Sequence, residues 1–128
     1  MAQLKDFAEH EFGLAKPHSG GGNHRQHLES IKRQTGRTPV GLIGPKRPAG
    51  SEMVWRMFCD LSSGRTWTDF GQPLAISYGE IEAWASVNRY QVSLNDLTLL
   101  QMLDASYRRI MVVKDKSSGD DDDDWSAP

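Results

Sequence analysis

The fold of this chain is decided by three aromatic-rich stretches, GSEMVWRMFCDLSSGR (50–65), WTDFGQPLAISYGEIEAWA (67–85) and VSLNDLTLLQMLDASYRRIMVV (92–113). Two Ser-x-x-acid sequences, Ser77 with Glu80 and Ser93 with Asp96, are typical of helix N-termini. In such a pair the hydroxyl and the carboxylate each accept a backbone N–H that the first helical turn leaves free. No nucleophile–base pair, metal-ligand cluster or phosphate-binding loop accompanies these helices. The stretches therefore favour a helical protein that works by contact over an enzyme.

Apolar residues recur at helical spacing in all three stretches. The spacing predicts helices over 51–62, 78–88 and 94–112, and no strand of comparable length. The side chains expected in one shared core are Trp55, Phe58, Leu61, Ile81, Trp84, Leu100, Leu103 and Tyr107. Tyr78 is expected on the inward face of its helix. Cys59 is expected as a small core side chain, because its sequence neighbours are apolar or acidic rather than cationic.

The first 50 residues predict lighter helical structure. Apolar residues at helical spacing indicate a short N-terminal helix that ends near Gly13, and the HSGGG sequence at 18–22 indicates a flexible linker. A second helix is predicted over His24–Thr35, with Asn23 and Gln26 as a capping pair. Its apolar stripe is thin, so it should either pack lightly or pack against another molecule. The following stretch, up to residue 50, carries three prolines among glycines and reads as an extended connector.

Charge is unevenly distributed, although the net charge is only −2. Residues 24–47 contain one acidic residue, Glu29, and six basic residues, namely Arg25, Lys32, Arg33, Arg37, Lys46 and Arg47. Residues 120–124 are five consecutive aspartates. Such a run repels itself and cannot be buried without great cost, so residues 114–128 are predicted to form a disordered acidic tail.

These patterns define an all-α protein with four segments. The four segments are a short helix with a Gly-rich linker (1–22), a basic helix with a Pro/Gly connector (23–50), a core domain of three helices (51–113) and the acidic tail (114–128). No run reaches the roughly 18–20 apolar residues that a bilayer requires, so no membrane association is expected. Acids interrupt the N-terminal region where a signal peptide needs an apolar stretch, and the single cysteine fits a reducing cytoplasm.

Two kinds of chemistry are considered and disfavoured. His24 and His27 lie three residues apart, a spacing that a metal ion can use, but no further ligand completes a set nearby. Glu80 and Glu82 lie two apart on one helix and so face different directions, and Glu80 is already a capping residue. We therefore expect no catalytic residues, no metal and no cofactor.

A nucleic-acid-binding regulator is the stronger alternative. The helix at 78–88, the turn after it and the helix from Leu94 have a helix–turn–helix outline. The basic segment, represented by Arg25, Lys32, Arg33 and Arg37, lies upstream. However, Asp96 and Asp104 are on the helix that would enter the major groove, where they would repel phosphate. Nucleic acid is therefore disfavoured as a partner.

Four stretches, taken in order, resemble small proteins from the tail-gene cluster of long-tailed bacteriophages: HLESIKRQTGRTP (27–39), VWRMFCDLSSGR (54–65), ISYGEIEAWASV (76–87) and LNDLTLLQMLDASYRR (94–109). In that group a Trp-containing helix ends in Leu-x-x-x-Arg, a Ser-Tyr/Trp-x-Glu-Ile-x-Ala-Trp-Ala helix follows a loop, and a last helix ends in Leu-Asp-x-x-Tyr. The matching positions here are Trp55, Leu61, Arg65, Ser77, Tyr78, Glu80, Ile81, Ala83, Trp84, Ala85, Leu103, Asp104 and Tyr107. The chain is therefore similar to tail assembly chaperones over residues 24–109.

This resemblance implies a non-enzymatic protein that binds the tape-measure protein or tail-tube subunits during virion morphogenesis in the host cytoplasm. A structural tail or head-completion subunit is the alternative within the same setting, so incorporation into the virion and self-association are both left open. Met102 falls off the apolar stripe of its helix, and Trp67 and Phe70 lie in the loop at 63–76. Because Met and aromatic side chains dominate protein contacts, these three are the predicted partner-binding residues. For the two loop aromatics, closure of the core is an equally good interpretation.

Overall fold

The computed structural model describes residues 2–18 and 21–126, with side chains as far as Val112. The described residues form five α-helices, a short 3-10 turn and two isolated β-bridges, without a strand. The chain therefore has the all-α architecture that the sequence predicts. It folds as two compact units, residues 1–49 and 50–128. No helix among the described residues is both long enough and apolar enough to cross a membrane.

The first unit is built from α1 (Ala2–Ala15) and α2 (His24–Thr35), which pack against each other. The guanidinium of Arg25 joins them by two hydrogen bonds to the Glu11 carboxylate, of 2.9 and 3.0 Å. Helix α1 continues two residues past the end predicted near Gly13, to Ala15. Leu14 is 3% exposed, and the burial of its side chain offsets the low helix propensity of glycine.

The limits of α2 match the sequence prediction. Asn23 Oδ1 accepts the backbone N–H of Gln26, and Gln26 Oε1 accepts the N–H of Asn23, both at 2.9 Å. Gly36 ends the helix with a φ of 73° and donates its N–H to Lys32 O at 2.8 Å. Leu28 is the one buried residue of α2, which accords with the thin apolar stripe.

The second unit consists of α3 (Glu52–Ser63), α4 (Tyr78–Asn88) and α5 (Leu94–Ser126). Helix α3 is central, since it packs against both α4 and α5. Of the side chains expected in the core, the structure buries Phe58, Ile81, Trp84, Leu100 and Leu103. Trp55, Leu61 and Tyr107 are partly buried at the edge of this core. The Trp84 indole N–H donates to Asp60 Oδ2 at 2.9 Å, so its one polar atom is satisfied.

Two side-chain expectations in this unit were wrong. Cys59 is exposed, because the buried face of α3 is set by Val54, Met57 and Phe58, and position 59 lies off that face. Tyr78 is 67% exposed at the start of α4, where its hydroxyl accepts a hydrogen bond from Gln101 at 3.1 Å.

Both Ser-x-x-acid predictions are confirmed as capping boxes. Ser77 and Glu80 exchange hydrogen bonds of 3.1 and 2.9 Å at the start of α4. Ser93 and Asp96 do the same at 3.0 and 3.1 Å before α5. The backbone of α5 continues to Ser126, beyond the end predicted at residue 112. The predicted disorder of 114–128 stays a prediction, since it lies outside the residues whose side chains are described.

Candidate partner-binding site

The connection between α3 and α4 forms a small hairpin around an antiparallel bridge between Trp67 and Pro73. Thr68 N–H donates to Gln72 O at 2.8 Å, and Gly71 N–H donates back to Thr68 O at 3.0 Å. Gly71 has a φ of 76°, which only glycine adopts without strain. Phe70 occupies the turn just before it and is 88% exposed. The hairpin therefore presents an aromatic side chain to solvent from a hydrogen-bonded turn.

Arg65 fixes the base of the hairpin. Its side chain is 1% exposed and donates to Leu74 O at 2.8 Å and to Ser62 Oγ at 2.7 Å. It also pairs with Asp104 Oδ1 of α5 at 2.6 Å. The guanidinium lies 4.5 Å from the centre of the Tyr107 ring. One buried arginine thus connects the end of α3, the returning arm of the hairpin and α5.

Asp104 is the second centre of this network. Its side chain is 7% exposed, and Oδ2 accepts hydrogen bonds from Ile76 N–H at 3.3 Å and Arg108 Nε at 3.1 Å. Ile76 directly precedes the N-cap residue of α4, so Asp104 fixes the far end of the connection. The two ends of the hairpin segment are therefore held by one buried ion pair.

Burial controls the electrostatics around this pair. Burial raises the pKa of the Tyr107 hydroxyl, and the positive charge of Arg65 opposes the shift. Arg65 Nε is buried without a hydrogen-bond partner among the described residues. An ion pair in such a place depends on both partners, because either charge left alone would be poorly solvated.

Four apolar or aromatic side chains on the hairpin and just after it are exposed, and we call them the hairpin surface. Its exposed members are Trp67 (44%), Phe70 (88%), Leu74 (46%) and Tyr78 (67%). The Trp67 ring packs edge-on to the Tyr107 ring, with 6.4 Å between the ring centres, so Trp67 covers part of the core. Phe70 is 88% exposed and covers none of it. Met102 is partly buried on α5, one residue after the Gln101 that bonds to Tyr78.

Of these four exposed side chains, the sequence-based prediction of partner-binding residues included Trp67 and Phe70 but not Leu74 and Tyr78. Arg65 was recognised only as a motif position, without the ion pair. The expectation that Asp104 would repel phosphate in a major groove was wrong, because its carboxylate is buried against Arg65.

The members of the predicted basic segment differ in their contacts. Arg25 is bound to Glu11, whereas Lys32, Arg33 and Arg37 are exposed and have no ion pair among the described residues.

The histidines of the first unit are brought together by ring stacking. His18 lies 4.1 Å from His27 and 5.9 Å from His24 between ring centres. Next to them, a cavity of about 480 Å³ is lined by His10, Leu14, Pro17 and other residues of the same unit. The described residues contain no group of three or more ligands with a geometry suited to a metal ion.

The turn between α4 and α5 is fixed by Asp96. Its carboxylate accepts the Tyr90 hydroxyl at 2.7 Å as well as the N–H of Ser93. The pKa of Tyr90 is raised by this hydrogen bond, by burial and by the negative charge of Asp96. Burial acts to raise the pKa of Asp96, but the hydrogen bonds from Tyr90 and Ser93 outweigh it and lower the pKa. The end of α5 that would enter a major groove therefore carries a persistent negative charge.

Comparison with known proteins identifies the family. The family model described as "Phage tail assembly chaperone" matches residues 31–109, which include the hairpin surface, Arg65, Asp104 and Tyr107. The chain therefore belongs to the phage tail assembly chaperone family, as its resemblance to tail-cluster proteins predicted. Neither the curated proteins nor the solved structures gave a match.

Proposed function

We propose that the chain binds the tape-measure protein or tail-tube subunits through the hairpin surface, and releases them as the tail is built. The observation that carries this proposal is the 88% exposure of Phe70 on a turn whose base is held by the Arg65–Asp104 pair. Together with Trp67, Leu74 and Tyr78, which are also exposed, Phe70 supplies several apolar side chains within one short segment, and exposed apolar patches are typical of protein contact sites.

The backbone hydrogen bonds that order the hairpin support a binding role. A loop that is already ordered loses little conformational entropy when a partner binds, so more of the contact energy appears as affinity. Aromatic residues are also the side chains most often found to dominate binding energy. Trp67, Leu74 and Tyr78 extend the apolar area around Phe70, and Met102 supplies an adaptable side chain on α5.

The test is capture of tail proteins from phage-infected cells by tagged chain, with identification of the proteins recovered. Phe70→Ser should reduce capture of the tape-measure or tube protein by about tenfold or more, as loss of a dominant contact residue does. Met102→Asp and Trp67→Ala should also weaken capture. Val87→Ser is the matched control, because Val87 is 82% exposed on α4 and does not belong to the hairpin surface.

Three outcomes would contradict the proposal. Equal capture by Phe70→Ser and Val87→Ser would exclude the hairpin surface as the binding site. A stoichiometric amount of the chain in purified virions would favour a structural tail or head-completion subunit. Sequence-dependent retention of duplex DNA at about 0.15 M salt would favour a regulator.

A further inference from the structure

The first unit contains an exposed segment whose charge differs from that of the hairpin surface. Residues 30–47 contain no acid, and their five basic side chains, Lys32, Arg33, Arg37, Lys46 and Arg47, are all exposed. None of the five forms an ion pair within the described part of the chain. Val40 and Ile43 lie among them and are 84% and 66% exposed. We call this segment, residues 32–47, the basic strip.

The backbone beneath the two aliphatic residues is fixed. Val40–Leu42 is a 3-10 turn that packs against α2, and Ile43 N–H donates to Val40 O at 2.9 Å. The His10 imidazole is hydrogen-bonded through Nε2 to Gly41 O at 2.9 Å. A Cβ on Gly41 would lie 2.8 Å from Leu28 Cδ1, which shows how closely the turn approaches α2. The turn therefore holds Val40 and Ile43 in an exposed position.

We propose that the basic strip is a docking site for an acidic protein segment with aliphatic side chains. Unpaired cations attract a partner of opposite charge and speed its arrival, while the two aliphatic side chains gain from contact with apolar groups. This site uses different residues from the hairpin surface, and the proposal does not depend on which tail protein binds the hairpin surface.

The composition of the strip distinguishes a protein partner from nucleic acid and from lipid. Single-stranded nucleic acid is held by bases stacked on aromatic rings, but residues 28–47 contain no aromatic side chain. Duplex DNA offers phosphates to the cations but little that would cover Val40 and Ile43. Two aliphatic side chains are also a small apolar face for insertion into a membrane surface. An acidic segment with Leu, Ile or Val matches both features of the strip.

The experiment uses the full chain and a short fluorescent peptide of Glu and Leu at amphipathic spacing, with a Glu→Gln version of the same peptide. Fluorescence anisotropy should show binding of the acidic peptide that weakens as salt rises through about 0.15 M, and at least about tenfold weaker binding of the Gln version. Arg37→Gln/Arg47→Gln should weaken binding of the acidic peptide by about tenfold.

Matched variants test whether binding of the acidic peptide depends on the basic strip itself, rather than on net charge or on the hairpin surface. Lys5→Gln/Arg89→Gln also removes two exposed cations, but its affinity for the acidic peptide should stay within about twofold of that of the unchanged chain. Phe70→Ser should likewise leave this affinity within about twofold. Val40→Ser/Ile43→Ser should lower affinity while the salt dependence stays unchanged. All these positions are exposed, so unchanged melting curves should accompany each variant.

The proposal fails if the acidic and Gln peptides bind equally, or if the Lys5/Arg89 variant loses as much affinity as the Arg37/Arg47 variant. It also fails if duplex DNA or vesicles of anionic lipid bind the chain more tightly than the acidic peptide near 0.15 M salt and respond to the Arg37/Arg47 substitutions. Those last results would assign the strip to nucleic acid or to lipid.

Discussion

At the scale of single residues, Arg65 and Asp104 connect the family motif to the shape of the molecule. Their side chains are 1% and 7% exposed, and together they hold both ends of the segment that carries Phe70. Buried ion pairs contribute little net stability over an apolar replacement, but loss of one partner leaves the other charge without solvation. The pair therefore matters for where the hairpin lies more than for the total stability.

Asp104→Ala should lower the free energy of unfolding by about 3–5 kcal/mol, because it leaves the buried Arg65 unpaired. Urea denaturation of the full chain measures this loss. Arg65→Met/Asp104→Leu should recover part of it. Arg108→Gln is the control: that side chain is 39% exposed, so its pair with Asp104 should be worth no more than about 1 kcal/mol. A loss of equal size for Asp104→Ala and Arg108→Gln would show that burial of Arg65 carries no special penalty.

At the scale of secondary-structure elements, the starts of α2, α4 and α5 are set by side chains within three residues of each other. The capping boxes before α2, α4 and α5 all follow from adjacent sequence, and all three are present in the structure. The turn of the hairpin is also determined by adjacent residues, since Gly71 supplies its positive φ. Its placement is not local, since it depends on contacts with α5.

Ser77→Ala should destabilise the chain by about 1 kcal/mol, through loss of the hydroxyl that accepts the Glu80 N–H. Thermal or urea unfolding provides the measurement. Ser77→Asp keeps an acceptor at the same position and should restore most of the loss. If Ser77→Asp were as unstable as Ser77→Ala, the hydrogen bond would not be the source of the effect.

At the scale of the whole molecule, the two units differ in charge. Residues 1–49 carry eight basic and four acidic residues, whereas residues 50–128 carry seven basic and thirteen acidic residues. The family match begins within α2 and ends within α5, so α1 and the acidic run lie outside it. The proposed functions follow this division, with the apolar hairpin surface in the second unit and the basic strip in the first.

Deletion of residues 115–128 should change the thermal midpoint by less than about 2 °C, because a segment with five consecutive aspartates has little apolar area to bury. Differential scanning calorimetry of the full and shortened chains tests this. A fall of roughly 4–8 °C corresponds to about 1 kcal/mol in a small domain and would show that the segment packs against the rest of the chain.

The sequence by itself determined the helical class, the position of every capping box and, through its motif, the family. These properties depend on hydrogen bonds between neighbours in the chain or on the period of apolar residues, both of which are readable without a fold. Only the tertiary structure decided that Arg65 meets Asp104, that Arg25 is occupied by Glu11, and that Cys59 and Tyr78 face solvent. Burial and long-range pairing depend on which faces meet when the helices pack, and side chains 39 positions apart carry no local trace of their contact.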